Sequence, residues 1–176
     1  LDLLKNLKLK NKIPYMIFTS GTTSKQKGVV ISEKSYLDYI KWTNKEFISY
    51  KNLKSLILTS ELNFDITFGD IAFALFSNCK IIVTKNNTNI FEIIQLIDKF
   101  KIEVMYTVPN LFKLLFIVLK KYKISKTIKL FISGGEVLNK QICVNAKKLF
   151  PKSNFYNVYG PTECTINITS YKVKLE

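Results

Sequence analysis

Val104-Met105-Tyr106-Thr107, then Pro109 to about Tyr122, then Lys129-Leu130-Phe131-Ile132 is the stretch on which the fold turns. Two short apolar runs flank a longer segment that proline opens and whose apolar residues recur at helical spacing, so the stretch reads strand, helix, strand. The same alternation continues outward. Toward the amino end, Ser55-Leu56-Ile57-Leu58-Thr59 and Lys80-Ile81-Ile82-Val83 read as strands separated by a helix from Asp65 to Asn78. Asn89 precedes a helix from Ile90 to Phe100, and Ser32 one from Glu33 to about Ser49. Toward the carboxyl end come a helix from Lys140 to Phe150 and a strand from Phe155 to Tyr159. Short strands alternating with longer helices predict an α/β fold, a mostly parallel sheet with helices on both faces. Ligands in such sheets gather at the carboxyl ends of the strands. The loops expected to line one cleft are therefore Thr19 to Gly28, Glu61 to Asp65, Thr107 to Asn110, Ser133 to Glu136 and Gly160 to Thr165.

Composition narrows the chemistry. The 176 residues carry a formal charge of +14, yet every basic residue is lysine. Arginine supplies most base contacts and bidentate phosphate grips. The charge therefore reads first as a solvated surface with a pull on anionic substrates, and nucleic acid stays the lesser alternative. The densest cluster, Lys120, Lys121, Lys123, Lys126 and Lys129, lacks interleaved base-stacking aromatics. Cys79, Cys143 and Cys164 are odd in number and far apart, which favours a reducing, cytoplasmic compartment over a disulfide framework or zinc site. Histidine is absent, which excludes Ser-His and Cys-His catalysis and the H-E-x-x-H motif. No apolar run reaches about 18 residues, so no membrane span is expected. The chain starts at Leu1 without an initiator methionine and reads as a fragment of a larger protein.

Four segments carry unusual polar residues. The first runs from Tyr15 to Val29, a short strand leading into Thr19-Ser20-Gly21-Thr22-Thr23-Ser24-Lys25-Gln26-Lys27-Gly28. Glycine-freed N–H groups, clustered hydroxyls and a mobile ammonium such as Lys27 suit a polyphosphate, although a polar turn between strands would read the same in isolation. It is not the G-x-x-x-x-G-K-[ST] loop, because lysine precedes the closing glycine. Asn63-Phe64-Asp65-Ile66-Thr67 sets one carboxylate at a strand-to-helix junction, as a ligand group or a plain helix cap. Ser133-Gly134-Gly135-Glu136 follows a strand, and its glycines let a flat aromatic ligand lie on the backbone or simply form a turn. Asn157-Val158-Tyr159-Gly160-Pro161-Thr162-Glu163 joins an aromatic, a Gly-Pro turn, a hydroxyl and a carboxylate, where an oxygen ligand for Mg²⁺ on phosphates would sit.

Taken in order, these segments resemble the core motifs of the adenylate-forming (AMP-binding) ligases. The pattern is most similar to amino-acid adenylation domains of nonribosomal peptide synthetases and to D-alanine–carrier-protein ligases. The resemblance implies that residues 1–176 are a single fragment of the large amino-terminal domain, with the C-terminal subdomain absent. It implies ATP and Mg²⁺ as cofactors and activation of an amino acid as its adenylate, for transfer to a carrier-protein phosphopantetheine thiol. Thr19, Ser20, Gly21, Thr22, Thr23, Lys27 and Gly28 would form the loop that holds the β- and γ-phosphates. Tyr159 would pack on adenine, with Gly135, Glu136, Asn157 and Gly160 around it, and Thr162 would reach the α-phosphate. Glu163 would hold the metal; Lys27, Thr162 and Glu163 would be the catalytic groups. Asp65 would pair with the substrate ammonium, and Ile66, Gly69, Tyr106, Ile132, Gly134, Val158 and Ile166 would line a side-chain pocket for a small or apolar group.

Ser24 and Gln26 depart from the family's usual glycine and proline, which would weaken phosphate binding. The family's ribose-binding acid and catalytic lysine lie beyond Glu163, and nothing after Tyr171 supplies them, so the fragment is expected to be incomplete and inactive alone. Alternatives are an acyl-CoA or aryl-acid ligase, with Asp65 as a cap, and a non-catalytic nucleotide-binding fragment.

Overall fold

The computed structural model describes residues 12–19 and 26–174. Two strands, β1 (Tyr15–Thr19) and β2 (Lys27–Ile31), form an antiparallel hairpin of their own. The other six are β3 (Ser55–Leu58), β4 (Lys80–Val83), β5 (Val104–Thr107), β6 (Leu130–Ser133), β7 (Asn154–Tyr159) and β8 (Thr169–Lys172). They build one sheet in the order β4-β3-β5-β6-β7-β8, parallel except for the antiparallel β8. The helices are α1 (Glu33–Glu46), α2 (Ile66–Ser77), α3 (Ile90–Phe100), α4 (Pro109–Leu119) and α5 (Lys140–Leu149).

Alternation along the strands explains why helices cover both faces. Ile57, Met105, Phe131 and Phe155 point to one side, where Ile93 and Ile97 of α3, Phe112 and Phe116 of α4, and Cys143 and Ala146 of α5 close over them. Leu56, Leu58, Val104, Tyr106, Leu130, Ile132 and Tyr156 point to the other, against Phe73 of α2 and the Phe47–Tyr50 turn. Every residue of β3, β5 and β6 is buried, as expected of parallel strands sandwiched between helices. The hairpin stands outside these layers and packs Tyr15, Ile17 and Ile31 on Tyr36 and Tyr39 of α1 and Ala72 of α2. Tyr15 stacks on Phe68 at 3.9 Å between ring centroids.

Local chemistry sets the helix ends. The side chains of Ser32, Asn89 and Asn139 each accept a backbone N–H in the first turn of α1, α3 and α5. Asn78 and Lys101 close α2 and α3 in the left-handed region, at φ 50° and 51°. Two helices are shorter than the periodicity suggests. The first ends at Glu46, because Phe47 and Tyr50 turn inward onto Tyr156, 5.1 and 6.0 Å away, and draw Ile48–Tyr50 into a tighter 3₁₀ turn. The fourth stops at Leu119, its last buried residue, before the exposed Lys120 and Lys121. Among the described residues no helix is long and apolar enough to cross a membrane.

Asp70 has no evident structural partner. It is 0% exposed on α2, and neither carboxylate oxygen has a hydrogen-bond partner among the described residues. Burial pushes its carboxyl well above the usual range; the groups that feel its charge are Tyr39, Tyr106 and Cys79. The folded form thus binds a proton that the unfolded chain has released, so stability falls as pH rises from the unfolded value toward the raised folded one. The slope is about 1.4 kcal/mol per pH unit across that window. Asp70→Asn should remove that slope and stabilise the protein at neutral pH, as read by thermal melts in mildly acidic and neutral buffer.

Candidate active site

The carboxyl ends of the parallel strands enclose a hollow of about 550 Å³. Thr59, Ser60 and Glu61 reach it from β3, Tyr106, Thr107 and Val108 from β5, Gly135 and Glu136 from the turn after β6, and Gly160, Pro161 and Thr162 from the turn after β7. The start of α2 adds Phe64, Asp65 and Ile66, and the return segment adds Ile166 and Asn167.

Asp65 occupies the N-cap position of α2 yet does not act as a cap. Its backbone is already helical, at φ −68° and ψ −20°, and its side chain makes no capping bond. The residue lines the hollow, its carboxylate beside the Thr162 side chain and the Ile66 N–H. Burial raises its pKa above the ordinary aspartate value; the Thr162 side chain and the Ile66 N–H pull it back, and the charge of Glu163 raises it further. The preceding turn is held by Thr67 Oγ1, which donates to the Glu61 carbonyl at 2.7 Å, and by the Phe64 N–H, which donates to the same oxygen at 3.0 Å.

Glu136 is anchored by the helix that follows the neighbouring strand. Its Oε2 accepts the Asn110 N–H at 3.2 Å, so the carboxylate covers the amino end of α4, where the helix dipole favours it. Gly135 before it has φ 83°, a conformation that suits glycine.

The turn after β7 is the tightest part of the site. A Cβ on Gly160 would fall 2.4 Å from the Ile166 carbonyl oxygen and 2.6 Å from Asn167 Cα, so only glycine lets the return segment close over it. Thr165 and Ile166 turn back at φ 65° and 71°, strained for β-branched residues. That reversal brings Asn167 under the hollow. Its Oδ1 accepts from the Tyr106 hydroxyl at 3.0 Å, and its Nδ2 donates to the Tyr39 hydroxyl at 3.0 Å.

Of the sequence-derived site residues, Asp65, Ile66, Tyr106, Gly135, Glu136, Gly160, Thr162 and Ile166 share the hollow. Gly69, Ile132, Gly134 and Val158 do not line it; Gly69 and Gly134 lie behind Tyr106, and Ile132 and Val158 are core. Tyr159 is 64% exposed and Asn157 partly buried, both off the lining. Glu163 lies on a shallow groove with Ser35, Asp38, Tyr39 and Trp42, close enough to Asp65 for its charge to be felt there. Thr19 and Lys27 are paired in the hairpin and, with Gly28, stand outside the hollow, because β1 and β2 pair with each other and not with the parallel sheet. The Lys27–Ile31 strand packs against the Thr162–Cys164 turn, so the hairpin still borders the site. Ser20, Gly21, Thr22, Thr23 and Ser24 lie outside the described residues.

Thr59, Tyr39 and Asn167 were not foreseen. Thr59 sits one residue past β3, 3% exposed, with its hydroxyl unpartnered among the described residues. Asn167 reaches the site only through the reversal at Thr165 and Ile166, two residue types that seldom adopt positive φ.

A magnesium ion usually takes one or two carboxylates and fills its shell with phosphate oxygens and water. Glu163, exposed beside Thr162, fits that role, and among the described residues no three acidic, histidine or cysteine side chains cluster into a closed cage.

The AMP-binding enzyme family matches residues 5–176. The chain belongs to this family. Other AMP-binding enzymes align along most of its length. The D-alanine–D-alanyl carrier protein ligase of Lactococcus lactis is 29% identical over 170 residues, covering 94% of this chain and 34% of that protein. Tyrocidine synthase 3 of Brevibacillus parabrevis is 29% identical over 160 residues, covering 90% of this chain and 2% of its own. Among solved structures, the Vibrio cholerae adenylation domain AlmE, in complex with glycyl-adenosine-5'-phosphate, superposes with a TM-score of 0.80 at 24% identity. That match covers 97% of this chain and 32% of AlmE. The nonribosomal peptide synthetase FmoA3 superposes with a TM-score of 0.84 at 19% identity over 94% of this chain and 18% of its own. The chain thus spans between 2% and 34% of the length of these relatives.

Proposed function

We propose that this chain is part of an ATP-dependent ligase that activates an amino acid as its adenylate and passes it to a carrier-protein thiol. The reading rests on one observation above all: Asp65 lines the hollow and makes no capping bond to its helix. A helix-start aspartate would normally spend its charge on the first-turn N–H groups. With no cation paired to it among the described residues, beside turns that would face the nucleotide, it suits the ammonium of an α-amino acid and disfavours a bare acyl chain. We read residues 1–176 as one piece of an adenylation domain whose C-terminal subdomain, supplied by further chain, completes it.

The chemistry asks little of acid–base groups. A substrate carboxylate oxygen attacks the α-phosphorus of ATP, a new P–O bond forms, the bond to the bridging oxygen breaks and pyrophosphate leaves with the electron pair. In the second half, the thiol loses its proton, its sulfur attacks the acyl carbon, and AMP departs. Catalysis of the first step is alignment and charge neutralisation, which a site without histidine can supply. Thr162 would contact the α-phosphate, and Glu163 would hold a Mg²⁺ that offsets charge on the phosphates. Thr19, Ser20, Gly21, Thr22, Thr23, Lys27 and Gly28 would take the β- and γ-phosphates, while Gly135, Glu136, Asn157, Tyr159 and Gly160 would surround the adenine. Three free cysteines and a need for ATP agree with a cytoplasmic setting.

Exchange of labelled pyrophosphate into ATP, measured on the polypeptide that contains this chain, tests the reading. Exchange that depends on an added amino acid supports it. Exchange driven by fatty or aryl acids overturns it and makes Asp65 an ordinary loop carboxylate.

A further inference from the structure

Charge is sorted along the strand direction. The turns at the carboxyl ends of the strands carry Glu61, Asp65, Glu136 and Glu163. The opposite end, where the helices hand the chain back to the strands, is cationic. Residues 120–129, between α4 and β6, hold five lysines and no acid, and residues 147–152, at the end of α5 and before β7, hold three more. The acids at that end are already engaged. Asp98 accepts the Ser125 N–H at 2.9 Å and Lys101 Nζ at 3.2 Å, while Glu103 pairs with Lys129 and accepts the Lys54 N–H at 2.6 Å. Lys120, Lys123 and Lys126 have no acidic partner among the described residues.

Those three lysines rim a groove of about 460 Å³ whose remaining lining is apolar: Leu119, Ile124, Leu149 and Phe150, with Tyr122 braced edge-on against Phe91 of α3 at 6.0 Å. Leu119 and Phe150 belong to the packed core, so the groove is preformed. Three kinds of polyanion answer the charge, and the shape decides between them. An anionic bilayer takes up apolar side chains that protrude, and here they lie recessed between lysines. Nucleic acid is gripped by arginine and by aromatics in series; the chain has no arginine, and the one tyrosine here leans on Phe91. A helix that sinks an apolar residue into a groove and sets carboxylates around it matches both features. We propose that the groove between the ends of α4 and α5 docks an acidic amphipathic helix of a partner protein, with its carboxylates on Lys120, Lys123 and Lys126. The groove and the hollow sit at opposite ends of the parallel strands, so the docked helix reaches no group assigned to the reaction. It is an attachment surface, separate from thiol delivery.

Fluorescence anisotropy on the polypeptide that contains this chain tests it, with a labelled helical peptide of glutamate and alanine that carries leucine along one face. In low-salt buffer that peptide should bind saturably, at least about tenfold tighter than the same peptide with glutamine in place of leucine. Combining Lys120→Gln, Lys123→Gln and Lys126→Gln should weaken binding of the leucine peptide about tenfold and leave the melting temperature unchanged, because all three lysines are exposed. Equal affinity for the two peptides, an unaffected triple variant, or no binding of the leucine peptide overturns the proposal. So does tighter binding of labelled oligothymidylate or of phosphatidylserine vesicles than of the leucine peptide, which would make this face a nucleic-acid or membrane surface.

Discussion

Asp65→Asn should lower the efficiency of amino-acid-dependent pyrophosphate exchange about 100-fold, almost all of it through the KM for the amino acid, with the KM for ATP little changed. Asparagine keeps the size of the side chain and loses only the charge. A buried charge that loses its partner costs about 3–5 kcal/mol; solvent reaching this partly open site brings that toward 3 kcal/mol, hence two powers of ten. Asp65 has no ion-pair partner among the described residues, so none of their lysines competes for it or masks its loss. The pH profile carries a second signature. Burial raises the Asp65 carboxyl above the ordinary 3.8. As pH falls, the KM for the amino acid should therefore begin to rise at a higher pH than a solvated aspartate would dictate, and the Asn variant should lack that limb. Initial rates across mildly acidic to neutral pH, with wild type and variant side by side, separate the two.

Phe131→Ala should cost about 3–5 kcal/mol of stability, enough to threaten folding of a domain with ordinary reserves. Phe131 is fully buried in the middle of β6, ringed by Phe112, Phe116, Phe150 and Phe155 at centroid distances of 5.4, 5.5, 5.4 and 5.7 Å. These rings come from α4, β7 and the end of α5, so the hole cannot collapse by shifting any single element. The strand ends at Ser133, immediately before Gly134-Gly135-Glu136, which ties this core to the floor of the site. Urea unfolding should show a lower midpoint with an unchanged slope, the mark of lost stability without a change in exposed surface.

How much of this could be read beforehand depended on whether the signal was local. Leu130-Phe131-Ile132 and Val104 to Thr107 announce buried strands because every position is apolar or β-prone, and Pro109, Asn89 and Ser32 mark helix starts by their own backbone chemistry. Of the five loops expected to meet because parallel strands end on one side, those from Glu61, Thr107, Ser133 and Gly160 do, while Thr19, Lys27 and Gly28 stand outside the hollow and residues 20–25 lie outside the described ones. The hairpin was harder. Tyr15 to Thr19 reads as another sheet strand, and only its pairing with Lys27–Ile31 and its packing on α1 and α2 set it apart. The family resemblance implies Gly69 and Gly134 as pocket lining, yet whether a glycine opens a cavity depends on what fills the gap, here the Tyr106 ring. Asn167 was out of reach for the same reason, since its position follows from two backbone turns that β-branched residues ordinarily avoid.

On the proposed function, the turns after β3, β5, β6 and β7 form one receptor for an aminoacyl nucleotide. Backbone amide shifts of the isotope-labelled polypeptide, titrated with glycyl-sulfamoyl adenosine, address it directly. Saturable changes should concentrate at Asp65, Gly135, Glu136 and Gly160 to Thr162. Changes confined to other surfaces, or a titration that leaves those turns unmoved, would contradict it.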